Sequence, residues 1–204
     1  FEVLCEGPNN IKFISGGSGV EELVKLGKSQ LDKFIENISF LDRIADVILV
    51  DTGAGLADSV MSFVMSADEV LLVTTPEPTS ITDAYALIKM VSNRERNKII
   101  KVLVNRAESI NEGNDILNKL SLVADKFLKI KLNRLGFILQ DEMVIKAVKM
   151  QEPFLLSNPK SHASMQIKGI SEKMVDLSRN DKNGENMGMS GFINKLVSFF
   201  RSMN

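Results

Sequence analysis

Thiol, imidazole, phenol and indole groups are scarce in this chain, which has one cysteine, one histidine, one tyrosine and no tryptophan among 204 residues. A lone Cys5 makes no intramolecular disulfide, and one His with one Cys leaves no conventional zinc cluster. No apolar run approaches the about 18 residues of a membrane-spanning helix. A surplus of one charge is missing too. The 25 basic side chains face 26 acidic ones, a formal net charge of −1, which excludes wholesale electrostatic attraction to nucleic acid. There is no start methionine and no signal-peptide pattern of basic, apolar and small-residue regions. The opening FEVLCEG reads as the middle of something, so an N-terminal portion is expected ahead of Phe1. What remains, at 44% hydrophobic residues, is a chain able to bury a sizeable core, as one larger domain or as one domain with an appendage. The expected location is the cytosol.

Apolar runs alternate with amphipathic stretches. Residues 2–5 and 11–14 are short strand candidates. Residues 20–43 carry Leu23, Leu26, Leu31, Phe34, Ile35, Ile38 and Leu41 at helical spacing, as one or two helices. Val47–Asp51 is a continuous apolar run ending in a carboxylate, of the kind that suits a strand covered on both faces. The pattern then predicts helix 56–66, strand 69–75, helix 79–93 with a Thr79 or Ser80 cap, and strand 99–104. Helix 109–129, a weaker strand 135–139, helix 141–149 and a helix over roughly 161–178 follow, with His162 as a helix-start residue. Such alternation means βα crossovers, and the fold class is α/β with a mostly parallel sheet and helices on both faces. The predicted organisation is a main domain over 1–178, a flexible linker over 179–190 and a separate helix over 191–204.

The strongest chemical signal is VILVDTGAGL, residues 47–56. A buried strand would deliver Asp51 to its C-terminal end, where open α/β sheets bind ligands. Thr52, Gly53, Ala54 and Gly55 would let the backbone turn tightly beside a ligand. A carboxylate there suits a Mg²⁺-bound water next to phosphates, and equally it suits plain helix capping. A third strand ends in Asn105-Arg106, where an amide can face a purine edge with Arg stacking nearby. Gly27-Lys28-Ser29 imitates the end of a P-loop, but the spacing requires Gly where Glu22 stands, and the tripeptide is expected inside a helix.

GPNNIKFISGGSG, DVILVDTGAGL, ADEVLLVTTPEPTSITDAYALIK and KVLVNRAES, in that order, resemble the MinD/ParA family of deviant-Walker ATPases. Within it the resemblance is to the flagellar site-determining, number-regulating branch, and it covers about residues 1–170. It implies an ATP- and Mg²⁺-dependent switch that dimerises around two nucleotides. Asp51 matches the Walker-B/switch II aspartate that would hold Mg²⁺ through water, and Thr52, Gly53 and Gly55 match the loop near the γ-phosphate. Asn105 matches the Asn that contacts adenine, with Arg106 beside it. Leu139-Gln140-Asp141 aligns with the stretch around the base, although the family has a Pro near there. The family's P-loop and switch I aspartate should precede Phe1. Without that central strand two strand edges would be exposed, and these residues alone are not expected to fold stably. The family's partners would be an SRP-type GTPase at the flagellar pole and flagellar basal-body components.

At ~100° per residue, Phe192, Ile193, Leu196, Val197, Phe199, Phe200 and Met203 fall within a 160° arc, opposite Lys195 and Arg201. A helix of this kind suits the inner face of the cell membrane, docking on the parent domain, or a protein partner. Two rival functions stand beside the ATPase switch. One is a non-hydrolysing adaptor of the same fold. The other is a ParA-like partitioning ATPase, using the basic stretch Lys89, Arg94, Arg96, Lys98, Lys101 and Arg106 on DNA.

Overall fold

The computed structural model describes residues 4–14, 27–180 and 188–203. They belong to two compact units, Phe1–Leu49 with Met187–Asn204, and Val50–Asn186. The first unit opens with β1 (Leu4–Glu6) and β2 (Lys12–Ile14), followed by α1 (Lys28–Ile38) and α2 (Leu41–Ile44). The second runs through α3 (Asp58–Ser66), β3 (Glu69–Thr74), α4 (Pro78–Arg94), β4 (Ile99–Ala107) and α5 (Ile110–Val123). It continues with β5 (Asn133–Leu139), α6 (Glu142–Met150), α7 (Phe154–Ser157) and α8 (His162–Asn180). A terminal α9 (Gly188–Met203) belongs to the first unit.

The second unit is built on a parallel sheet of order β3-β4-β5. Its middle strand β4 is buried on both faces, which is why Ile99–Val104 is apolar except for Lys101. Ile100, Val102 and Val104 point to one face, where Met61 of α3, Ile88 of α4 and Leu117 of α5 fill the core. Leu103 points to the other, against Ile138 and Ala163, with Val144 of α6 and Ile170 of α8 beside them. The expected α/β architecture, with helices on both faces, is therefore present. Gly113 lets α5 approach β5: a Cβ there would lie 2.5 Å from Phe137 Cγ.

Lys98 and Lys101, read from sequence as part of a basic stretch, are buried. Lys101 is 1% exposed and its Nζ pairs with Glu69 Oε2 at 2.6 Å. Lys98 Nζ donates to the carbonyls of Met65 and Ala67 and lies 3.5 Å from Glu95. They staple β3 to β4 and α3 to the β4 entry, and the continuous basic face required for DNA is interrupted there.

Several boundaries differ from expectation. Residues 47–50 form no strand and are exposed, with Leu49 at 73%. An apolar run becomes a strand only where a neighbour accepts its N–H and C=O groups. Strand β3 pairs only with β4 among the described residues, and Leu71 and Val73 on its second face are 40% and 50% exposed. Strands β1 and β2 pair antiparallel with each other. The 20–43 helix is two helices where described, and Lys28 is its first residue with Gly27 as N-cap. Gly27-Lys28-Ser29 is thus at a helix start and not inside one; Glu22 lies outside the described residues. Helix α4 starts at Pro78 with Glu77 as N-cap, not Thr79 or Ser80, since proline at the first helical position leaves no donor unpaired. After α5 the chain widens into a π-helical turn, Ala124–Leu128. Most of the expected linker, 181–187, lies outside the described residues, while 179–180 and 188–190 are helical.

Within the first unit α9 packs against α1 and α2. Ile193, Leu196 and Val197 are buried, Phe192, Phe199 and Phe200 are half-buried, and Asn194, Lys195 and Ser198 face outward. Asp42 accepts from Met189 N at 2.9 and 3.1 Å, capping the start of α9 from a neighbouring helix, and Ser39 Oγ meets Ser190 Oγ at 2.5 Å. Among the described residues no helix is long and apolar enough to cross a membrane.

Candidate functional site

Parallel strands bring their carboxyl ends to one edge, and the loops leaving that edge carry the polar groups. β3 ends at the buried Thr74, whose Oγ1 lies 3.0 Å from Ser80 Oγ, and Thr75 N donates to the same Ser80 hydroxyl at 3.0 Å. This ties the Pro76-Glu77 turn to the first turn of α4. β4 carries Asn105-Arg106 near its end, with Arg106 in the left-handed region at φ 61. Such a backbone is costly for a non-glycine residue. Here it is supported by Asn105 Oδ1, which accepts the Arg106 backbone N–H at 3.0 Å.

The Arg106 side chain then spans three strand ends. Its Nε donates to Gln140 Oε1 at 3.2 Å beyond β5, and its Nη1 lies 4.0 Å from Glu77 Oε1 beyond β3. Gln140 N donates to Ala107 O at 2.8 Å, which holds the β5 exit against β4. Around this crossing lies an open pocket of ≈ 360 Å³ lined by Pro76, Glu77, Arg106, Glu108, Glu112 and Gln140. Glu112 and Ser109 form a reciprocal cap on α5: Glu108 N donates to Glu112 Oε2 at 2.7 Å and Glu112 N to Ser109 Oγ at 3.1 Å. Three carboxylates against one guanidinium make the pocket unsuited to phosphate. A neutral ring with N–H donors and ring acceptors fits it. A side-chain hydrogen bond from Thr75, then the Glu77 backbone N–H, and lastly Arg106 keep the Glu77 carboxyl below the usual carboxylate range.

Of the residues expected at the base, Arg106 and Gln140 line the pocket directly, and Asn105 sits in the same turn. Asp141 is adjacent but engaged elsewhere. It is the N-cap of α6, accepting from Met143 N at 2.8 Å, and it also accepts from Ala163 N at 3.1 Å near the start of α8. The Ala163 and Met143 N–H groups hold its carboxyl below the ordinary 3.8. A carboxyl depressed in the fold stabilises fully above its unfolded value and loses that contribution as pH falls through the folded value. Asp141→Ala is therefore expected to lower stability by about 1–2 kcal/mol near neutral pH. Its urea midpoint should also fall less steeply than the parent's when the pH is taken below 4.

Asp51 is exposed and makes no hydrogen bond or ion pair among the described residues. Thr52 is half-buried, and a Cβ at Gly53 or at Gly55 (φ +102) would meet nothing within 4 Å. These residues do not line the pocket. A lone free carboxylate beside a hydroxyl fits Mg²⁺, which keeps several of its waters. Sequence reasoning missed Glu77, Glu108 and Glu112. The Ser109-x-x-Glu112 spacing is a readable helix-start signal immediately after a strand, but nothing local points to Glu77.

Comparison with known proteins identifies the family and the fold. The chain is 42% identical over 173 residues to the antiactivator FleN of Pseudomonas aeruginosa, covering 85% of this chain and 62% of that protein. It is 29% identical over 202 residues to the flagellum site-determining protein YlxH of Helicobacter pylori, 97% of this chain and 67% of the relative. The chain thus spans under two thirds of the first relative's length. A solved MinC:MinD cell division protein complex of Aquifex aeolicus matches with a TM-score of 0.57 at 23% identity, over 86% of this chain and 67% of that one, which shows the fold. The model of the family described as ParA, NUBPL iron-transfer P-loop NTPase, matches residues 23–175. Matched over three quarters of its length, the chain belongs to the ParA/MinD-type P-loop NTPases.

Proposed function

We propose that the complete protein is an ATP-dependent, dimerising switch ATPase that associates with the membrane and helps to set flagellar placement or number. The observation that carries the nucleotide part is the pocket at the carboxyl ends of β3, β4 and β5. It is lined by Arg106 and Gln140 and carries too much negative charge for phosphate. Its shape and donor set suit the base of a nucleotide, with the phosphates reaching toward Asp51. The flagellar part is supported by the likeness to FleN and YlxH. The edge of β3 that is unpaired among the described residues, and its bare face at Leu71 and Val73, suit a further strand and helix such as a P-loop unit. Strand 47–50 would then form on that added strand.

Asp51 and Thr52 would hold Mg²⁺ through water, and the ion would supply electrostatic stabilisation of charge on the transferred phosphoryl group. Asp51 would orient that hydrated site, Gly53 and Gly55 would let the backbone approach the terminal phosphate, and Asn105 and Gln140 would hold the base with Arg106 beside them. Partners in this reading are a second copy of the chain, an SRP-type flagellar GTPase and basal-body proteins. No specific observation favours the adaptor, and the burial of Lys98 and Lys101 weighs against the DNA-partitioning reading.

Asn105→Ala in the full-length protein tests the site. An amide that contacts the base stabilises ground and transition states alike, so its loss should raise the dissociation constant for ATP about tenfold with little change in kcat. Equilibrium binding and steady-state phosphate release measure the two. Collapse of turnover at saturation with unchanged affinity would remove Asn105 from the base pocket.

A further inference from the structure

The Glu77–Arg106–Gln140 crossing assigns a role that no single residue there discloses. A guanidinium only donates hydrogen bonds. Arg106 Nε lies 3.2 Å from Gln140 Oε1, and a carbonyl oxygen is the only atom of the carboxamide that can accept there. The Gln140 NH₂ is thereby turned away from Arg106, and it has no partner among the described residues. Glu77, whose carboxylate faces Nη1 of the same guanidinium at 4.0 Å, braces Arg106 from the opposite side of the pocket.

We infer that Arg106, braced by Glu77, is a positioning residue that locks the Gln140 carboxamide with its NH₂ presented as a hydrogen-bond donor to a ring-nitrogen acceptor of a heterocyclic base. This rests on the nucleotide reading above and adds to it which atom reads the base and what orients that atom. Glu77 and Arg106 act through Gln140. Neither is assigned a contact with reacting atoms.

Substitution separates orientation from charge. Gln140→Glu keeps an acceptor for Arg106 Nε, and so keeps the crossing, but removes both amide donors. Arg106→Lys keeps the charge but replaces a rigid planar fork with a flexible ammonium that does not fix the orientation of Gln140. Binding of ATP and of inorganic tripolyphosphate, which has no base, is measured calorimetrically on the full-length parent and both variants, with thermal midpoints alongside. The expected result is an ATP affinity about tenfold weaker in Gln140→Glu, with tripolyphosphate affinity and the thermal midpoint unchanged. Arg106→Lys should show the same selective loss. Gln140→Glu binding ATP as the parent does, or losing both probes equally, would overturn the assignment while leaving the nucleotide reading intact. A parent that binds tripolyphosphate as tightly as ATP has no base site, and that result would overturn the nucleotide reading and this assignment together.

Discussion

Asp51→Asn in the full-length protein should lower steady-state phosphate release by roughly 10²-fold while leaving ATP affinity within a few-fold of the parent. The expectation comes from the state of the side chain. Asp51 is exposed, unpaired among the described residues, and followed by two glycines with open space around them. A carboxylate in that setting supports no fold contact whose loss would confuse the result, and the amide keeps its size. What the substitution removes is negative charge where a hydrated divalent cation and a developing phosphoryl charge would meet. Binding, by contrast, draws on the base pocket and on the phosphate grip. Phosphate release and nucleotide titration on the same preparation decide the matter, and unchanged turnover would sink the Asp51 assignment.

Replacing Phe199 and Phe200 together by Glu should abolish ATP-dependent co-sedimentation with anionic liposomes and spare ATP binding. Helix α9 holds its apolar stripe against α1 and α2, with Ile193, Leu196 and Val197 at 3%, 2% and 3% exposure. Lipid binding must therefore compete with contacts the helix already makes. Full burial of a large apolar side chain is worth ~1.5–3 kcal/mol, and an interfacial helix buries only part of each one. After undocking, one helix is a marginal anchor. A dimer presents two, which makes the second insertion intramolecular and can raise avidity ~10²–10⁴-fold without any new contact. Lys195, on the outward face, and Arg201 add attraction to anionic lipid that weakens with salt. The ATP-bound dimer of the parent should therefore pellet with vesicles and the ADP-bound monomer should not. If the doubly substituted protein pellets as well as the parent, α9 serves only to pack on its neighbours.

The alternation of apolar runs and amphipathic stretches is a local property, and it was enough to identify the parallel α/β architecture. The continuous run of β4 and the helical spacings of α4, α5 and α8 follow from which faces need covering. The Asn105-Arg106 end of β4 was equally readable, because a strand's terminus is known once the strand is. Residues 47–50 carry as apolar a run as β4 and form no strand, because pairing is a property of two segments. Lys98 and Lys101 looked like surface charge, since a residue's type does not reveal a Glu69 partner 32 positions earlier or the carbonyls of Met65 and Ala67. Asp141 looked like a ligand of the base, and its carboxylate is engaged by the N–H groups of two helices. Glu77, Arg106 and Gln140 are brought together only by the convergence of three strand ends. Parallel pairing aligned those ends, and the direction of one guanidinium then set the orientation of the Gln140 amide.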